Sequence, residues 1–305
     1  MKAVRFDHYG DVDVLEVRDV EDPVPGPGEV LVAVKAAGIN PGEIAIREGA
    51  LHERFPATFP SGEGTDFAGV VQAVGDGVRR FAAGDEVLGW TERRASHAEL
   101  VVAPEDQLAA KPAALSFEVA GSLFVVTLAA YASVQAVAPK AGETVVVSAA
   151  AGGVGSVAVQ LARRTGARVI GLAGEQNHQW LRSHDIVPVA YGEGQEDRIR
   201  AAAPSGVDAF IDTFGGGYVD LAITMGVALE RINTIADFEA VQRLGVQSQG
   251  THSLATAAIL AEIAGLVADG SIEIPIAGTY PLTDVRDAYR DLSARHSHGK
   301  IVLLP

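Results

Sequence analysis

The chain has 305 residues, 48% of them hydrophobic and 21% charged, a composition that fits a folded protein of about two domains and excludes wholesale disorder. It contains no cysteine, which excludes disulfides, thiolate zinc sites, iron–sulfur clusters and a cysteine nucleophile. Its formal charge of -15 repels phosphate backbones and anionic bilayers, so neither nucleic acid nor membrane is an expected partner.

The N-terminal MKAVRFDHYG has no apolar signal core. The longest apolar stretch, Leu123 to Val134, is 12 residues and too short to span a bilayer. A cytoplasmic protein is the expectation. Short β-type runs at Val12–Val17, Val30–Val34, Val70–Val74 and Leu100–Val102 alternate with turn clusters such as Pro23–Gly28 and Gly75-Asp76-Gly77. That texture predicts a compact all-β barrel or sandwich. At Ser116-Phe117-Glu118 it changes to a helix start, with serine as the cap and an acid in the first turn, and a helix is expected to run to about Val137. Pro139 and Gly142 end it.

Regular α/β alternation follows. Strands are predicted at Thr144–Ser148, Ala167–Leu172, Ile186–Ala190, Val207–Asp212 and Arg231–Ile235, with helices at Val154–Arg164 and Gln176–Ser183. This order implies a parallel, doubly wound sheet. Pro188 cannot donate to a ladder, so its strand belongs at an edge, which is where the third strand of a 3-2-1-4-5-6 sheet lies. After a helix at Ala255–Asp269, strands at Ile272–Tyr280 and Lys300–Leu304 flank a helix around Leu282–Leu292. The predicted architecture is α/β: a β domain over 1–115, completed by 271–305, and a nucleotide-binding domain over 116–270.

The most informative motif is Thr144-Val145-Val146-Val147-Ser148-Ala149-Ala150-Ala151-Gly152-Gly153-Val154-Gly155, an apolar strand that enters a glycine turn and then a helix. Gly152 and Gly153 allow the backbone to approach a pyrophosphate, and Gly155 allows close helix–strand packing. The helix start supplies unpaired N–H groups and a positive dipole end. Ser148, Ala151, Gly152, Gly153, Val154 and Gly155 are therefore candidate cofactor contacts. The spacing is AxxGxxG and not the stricter GxGxxG. Cofactor choice depends on the end of the next strand, Val169–Gly174. Ala173 and Gly174 are not acidic there, which points to NADPH. Glu175, 20 residues past Gly155, is the alternative that would hold NADH. His178 and Arg182 are the nearest positive candidates for a 2′-phosphate.

The segments Ala36-Ala37-Gly38-Ile39-Asn40-Pro41, Gly64-Thr65-Asp66-Phe67-Ala68-Gly69-Val70-Val71, Phe81–Gly89 and Gly299-Lys300-Ile301-Val302, together with the glycine turn, carry a resemblance across nearly the whole chain. The chain resembles the zinc-independent quinone oxidoreductases of the medium-chain dehydrogenase/reductase superfamily. The resemblance implies a GroES-like β-barrel domain, a Rossmann domain holding NADPH, hydride transfer in a cleft between them, and a homodimer. It places Asn40 beside the nicotinamide, although a turn residue before Pro41 is the simpler alternative. It places Thr213, Phe214 and Ile235 at the nicotinamide half, Tyr191 at the adenosine phosphate end and Arg295 near the cofactor, against a plain solvated helix-end charge. Zinc-dependent relatives carry Gly-His-Glu at Gly64-Thr65-Asp66, so Thr65 stands where a histidine ligand would be. Asn40 and backbone N–H groups are then the donors for a developing enolate or quinol oxygen. Asp66 reads as structural. The alternatives are an enone or 2-alkenal reductase, and a nucleotide-binding redox sensor with little turnover.

Overall fold

The computed structural model describes residues 1–305. The chain forms two compact units, one of residues 1–125, 256–271 and 275–305, the other of residues 126–255 and 272–274. No helix is long and apolar enough to cross a membrane.

The N-terminal part contributes β1 (Lys2–Phe6), β2 (Glu16–Asp19), β3 (Glu29–Gly38), α1 (Pro41–Arg47), β4 (Ser61–Gly62), β5 (Asp66–Val74), β6 (Glu86–Trp90), β7 (Leu100–Pro104), β8 (Leu108–Ala110), α2 (Phe117–Ala120) and α3 (Leu123–Val137). The strand expected at Val12–Val17 begins only at Glu16. Val12–Val14 forms a single 3-10 turn instead, because the Asp11 carboxylate accepts the Asp13 N–H at 2.9 Å and satisfies the backbone locally. The single helix expected from Ser116 to Val137 is broken at Gly121. There the Gly121 carbonyl accepts the Gly38 N–H at 2.8 Å, and a Cβ at Gly121 would run into the Ala36 carbonyl oxygen. The break lets the helical segment dock its backbone on the end of β3.

The second unit holds β9 (Thr144–Val147), α4 (Gly153–Arg164), β10 (Arg168–Leu172), α5 (His178–Ser183), β11 (Val187–Val189), α6 (Gln195–Ala202), β12 (Ala209–Asp212), α7 (Tyr218–Thr224), β13 (Ile232–Thr234) and α8 (Phe238–Leu244). Its sheet is parallel, in the order β11-β10-β9-β12-β13. The proline strand β11 is an edge strand, as the missing N–H requires. Five strands form rather than six: the following segment reaches β13 only through an isolated parallel bridge between Asn233 and Gln247. Val146, Ile170, Phe210 and Ile232 are fully buried at the centre of this unit.

The C-terminal part adds α9 (Ala257–Ala268), β14 (Ile276–Pro281), α10 (Val285–Ser293) and β15 (Lys300–Leu304). β15 pairs antiparallel with β3, Val302 opposite Gly38, so the last residues complete the seven-stranded sheet of the first unit. The three-stranded sheet β2-β1-β4 lies in the same unit. The unit limits differ from those expected at 116 and 270: α9 belongs with the β unit, where Leu260, Ile263 and Ala264 are buried and the helix packs on β8. Ile272–Ile274 belongs with the parallel sheet, because the Gln160 amide donates to the Glu273 carbonyl at 2.9 Å and accepts its N–H at 2.8 Å.

The Gly121 contact generates a test. Gly121→Ala forces a Cβ onto the β3 backbone and is expected to cost about 1–3 kcal/mol of stability. Calorimetry should show a thermal midpoint lower by several degrees. An unchanged midpoint would mean that this approach does not constrain the fold.

Candidate functional site

The glycine turn lies where β9 hands over to α4. Ala149, the first residue of the AxxGxxG spacing, takes a left-handed φ of 44°, while Gly152 is extended at φ -78° and caps α4 with no side-chain bond. The left-handed conformation therefore falls on Ala149 and not on Gly152 or Gly153. Ser148 N–H donates to Ile211 O at 3.0 Å and Ala150 N–H to Leu172 O at 2.9 Å, so the turn is stitched to the ends of both neighbouring strands. At Gly155 a Cβ would run into Ala149 O and lie 2.9 Å from Ala150 Cα. Only glycine lets α4 start this close to the turn. The first-turn N–H groups of α4 have no intrahelical acceptor, and the helix dipole is positive there. This cradle fits a pyrophosphate.

Asp212, the last residue of β12, was not among the candidate cofactor residues. It is fully buried, and its carboxylate accepts from Ser148 Oγ (2.7 Å), Thr234 Oγ1 (2.8 Å), Phe214 N (3.0 Å) and Gly215 N (3.0 Å). Ser148 Oγ also accepts the Thr213 N–H at 2.8 Å, and Thr213 Oγ1 donates to Ser148 O at 2.7 Å. Ile235 N–H donates to Asp212 O at 3.1 Å. Asp212 thus holds Ser148 and Phe214 through its carboxylate, Thr213 through Ser148 and Ile235 through its backbone carbonyl, at the carboxyl edge of the parallel sheet beside the glycine turn. Phe214 is 41% exposed there, next to the left-handed run Gly215-Gly216-Gly217. A buried acid that ends a strand three residues before such a run was the available signal.

The other predicted cofactor residues are placed less closely. Gly174 follows β10 and opens a short 3-10 turn over Glu175–Asn177; Glu175 is exposed and beyond the strand end. His178 begins α5, and its Nε2 donates back to Ala173 O at 3.2 Å. Tyr191 is 51% exposed in the loop after β11, whose carbonyls accept from the Arg198 guanidinium. Arg295 belongs to the β unit, exposed just past α10 with a left-handed φ of 56°.

Asn40, at the start of α1, is 3% exposed and sits in a buried charged cluster. Its Oδ1 accepts from Lys300 Nζ at 2.6 Å, while its Nδ2 donates to Glu43 Oε1 at 3.3 Å and Asp66 Oδ2 at 3.4 Å. Glu43 further accepts from Asn40 N (2.8 Å), Thr65 N (3.1 Å) and the Tyr289 hydroxyl (2.8 Å). Asp66 accepts the Val125 N–H at 3.1 Å. Arg47 pairs with Glu63 at 2.6 Å and lies over the Tyr289 ring. Burial pushes the Glu43 carboxyl up, Asp66 up to about 6 and Glu63 up to about 8, against the pull of Tyr289 and Lys300, Lys300, and Arg47 respectively. Burial pulls Lys300 down and lowers His97 to about 3, so His97 is neutral. Glu43 stands three residues after Asn40 as the acid of an Asn-x-x-Glu capping box, whereas Lys300 and Tyr289 lie far away in sequence and nothing in the chain marked them as partners of Asn40.

Removing charge from Asp212 tests the carboxyl edge. Asp212→Asn replaces acceptor capacity with donors facing buried N–H and O–H groups, at a cost of about 2–3 kcal/mol. Its thermal midpoint should fall clearly below that of Asp220→Asn, which loses only an exposed pair with Arg243. Equal midpoints for the two variants would contradict the role given to Asp212.

Two family profiles match the chain: the alcohol dehydrogenase GroES-like domain over residues 26–138 and the zinc-binding dehydrogenase family over residues 184–303. A quinone oxidoreductase of Pseudomonas aeruginosa is 31% identical, covering 100% of this chain and 99% of its own. The solved quinone oxidoreductase of Escherichia coli complexed with NADPH matches at a TM-score of 0.86 and 26% identity, covering 100% of both chains. A solved NAD-dependent alcohol dehydrogenase matches at 0.87 and 30% identity, also over 100% of both chains. Despite the second profile's description, the residues present do not fit a catalytic zinc. No three His, Cys, Asp or Glu side chains are grouped to hold a metal, and the carboxylate next to Thr65 is already engaged by Asn40 and Lys300. The chain belongs to the quinone oxidoreductase family of the medium-chain dehydrogenase/reductase superfamily.

Proposed function

We propose that this chain is an NADPH-dependent oxidoreductase that reduces a quinone or a related conjugated carbonyl without zinc. The observation that carries the reading is the joined construction of the glycine turn and the Asp212-held loops at one carboxyl edge of a parallel sheet, the place where such sheets bind dinucleotides. When bound, the cofactor supplies the hydride. The work of the chain is to hold and orient. The first-turn N–H groups of α4 face the pyrophosphate, and Gly155 keeps them close to the turn. Ser148, Thr213 and Asp212 fix the backbone at the nicotinamide half, with Ile235 tied to the same strand end. Preference for NADPH is supported by Ala173 at the end of β10, where an acid would hold the ribose hydroxyls, and by the displacement of Glu175 into an exposed turn. His178 lies on that side and is the proposed neighbour of the 2′-phosphate, with Tyr191 and Arg295 as further contacts carried by the family likeness.

Asn40 is the proposed hydrogen-bond donor to the acceptor oxygen on which charge develops. Its two Nδ2 contacts, at 3.3 and 3.4 Å, are long, so an oxygen that carries charge can compete for this N–H2 group. A homodimer and a cytoplasmic location belong to the same proposal and rest on the family likeness.

The test is NADPH and NADH oxidation by the purified protein with a small benzoquinone, with a 2-alkenal in parallel. The expected result is turnover of the quinone with kcat/KM at least about tenfold higher for NADPH. Preference for NADH would transfer the cofactor assignment to Glu175. Turnover of the alkenal alone would identify a C=C reductase, and tight nucleotide binding without any turnover would overturn the enzyme reading in favour of a sensor.

A further inference from the structure

A primary amide has two ends of nearly the same shape and opposite hydrogen-bonding character, so its neighbours decide which end faces which way. Around Asn40 those neighbours are unambiguous. Lys300, the first residue of β15, is 3% exposed, and its Nζ donates to Ile39 O at 2.7 Å and to Asn40 Oδ1 at 2.6 Å. An ammonium has only donors, so the end of the amide it holds must be the oxygen. The opposite end meets only carboxylate oxygens, those of Glu43 and Asp66. The two holds are unequal. The charge-assisted bond to the carbonyl is short, while the contacts of the N–H2 group are longer than the usual 2.9–3.0 Å.

The anchor is itself fixed. Lys300 stands 3.6 Å from Asp66 Oδ2, and its strand is bound next to Asn40 by the Ile39 N–H, which donates to Ile301 O at 3.1 Å. Lys300 N–H donates to Pro275 O at 2.8 Å on the other side. The ammonium therefore cannot follow a turning amide without breaking bonds to Ile39 and Asp66.

We propose that Lys300 is a positioning residue: by holding Asn40 Oδ1 it fixes the amide so that Asn40 offers its N–H2 group, and not its carbonyl, to the acceptor oxygen. The proposal rests on the reading of Asn40 given above. Without the ammonium, the carbonyl end loses its strongest partner and the amide is free to turn. A turned amide presents lone pairs to an oxygen that is gaining negative charge, which opposes the reaction instead of assisting it.

The experiment combines a double-mutant cycle with a readout that needs no turnover. Wild type, Asn40→Ala, Lys300→Met and the double variant are compared in NADPH oxidation with benzoquinone. Each single variant is expected to lower kcat by about 10²-fold, the scale of one lost donor to an oxyanion, with the KM for NADPH nearly unchanged. The double variant is expected to be no slower than Asn40→Ala, because Lys300 acts through Asn40. A double variant much slower than either single would overturn the proposal, as would full activity in Lys300→Met.

The second readout is the side-chain amide resonance pair of Asn40 in the nucleotide-free protein, identified by its loss in Asn40→Ala. The pair should exchange slowly with solvent in the wild type and rapidly in Lys300→Met. Rapid exchange in the wild type would overturn the proposal without recourse to any Lys300 variant, so a failure of Lys300→Met to fold does not remove the test. If Asn40→Ala keeps full activity while the wild-type pair is protected, the reading of Asn40 as donor fails and the positioning proposal fails with it. Loss of activity in Asn40→Ala with full activity in Lys300→Met sinks only the positioning proposal.

Discussion

Burying the Asp212 carboxylate at the end of β12 is tolerable only if its oxygens are saturated with donors, since an uncompensated buried charge costs several kcal/mol. The chain meets this demand with two hydroxyls and two backbone N–H groups drawn from three places: the end of β9, the loop after β12, and β13. The same bonds that satisfy the carboxylate also fix the shape of the carboxyl edge. Ser148 is both a donor to Asp212 and an acceptor for Thr213, so the glycine turn and the neighbouring loop cannot shift independently. A rigid, polar edge next to an uncapped helix start is what a dinucleotide site requires of a protein.

The β unit solves a related problem differently. Glu43, Glu63 and Asp66 are buried with only Arg47 and Lys300 as paired cations, and burial raises all three carboxyls. Burial pushes Glu63 up to about 8, with the Arg47 guanidinium opposing the rise. Hydrogen bonds from Thr65, Val125 and Tyr289 satisfy the remaining oxygens. The result joins α1, β5, α10 and β15 around one asparagine. Replacing such a network with apolar side chains could give equal stability. Its place around Asn40 agrees with a role in orientation.

Much of this architecture is legible in the sequence because it depends on local rules. Pro188 has no N–H and so marks an edge strand; the glycine turn follows a β run and precedes a helix; Gly299-Lys300-Ile301-Val302 continues the β texture at the chain end. What escaped depends on contacts between distant residues. Asp212 reads as one more strand-end acid until Ser148 and Thr234 are seen on its oxygens. Lys300 reads only as part of the closing Gly299-Lys300-Ile301-Val302 segment, yet it holds an asparagine 260 positions away. The left-handed turn residue is Ala149 and not a glycine, because bonds to Ile211 and Leu172 on either side impose the conformation from outside. At Val12–Val14 a local side-chain bond from Asp11 outweighed β propensity.

Membership of the quinone oxidoreductase family and the construction of the carboxyl edge point to one nucleotide position. Hydrogen exchange of the full chain, followed peptide by peptide with and without NADPH, tests that position most directly. The account predicts slowed exchange in the segments 149–156 and 212–216. Protection confined to other segments, or none at saturating NADPH, would contradict it.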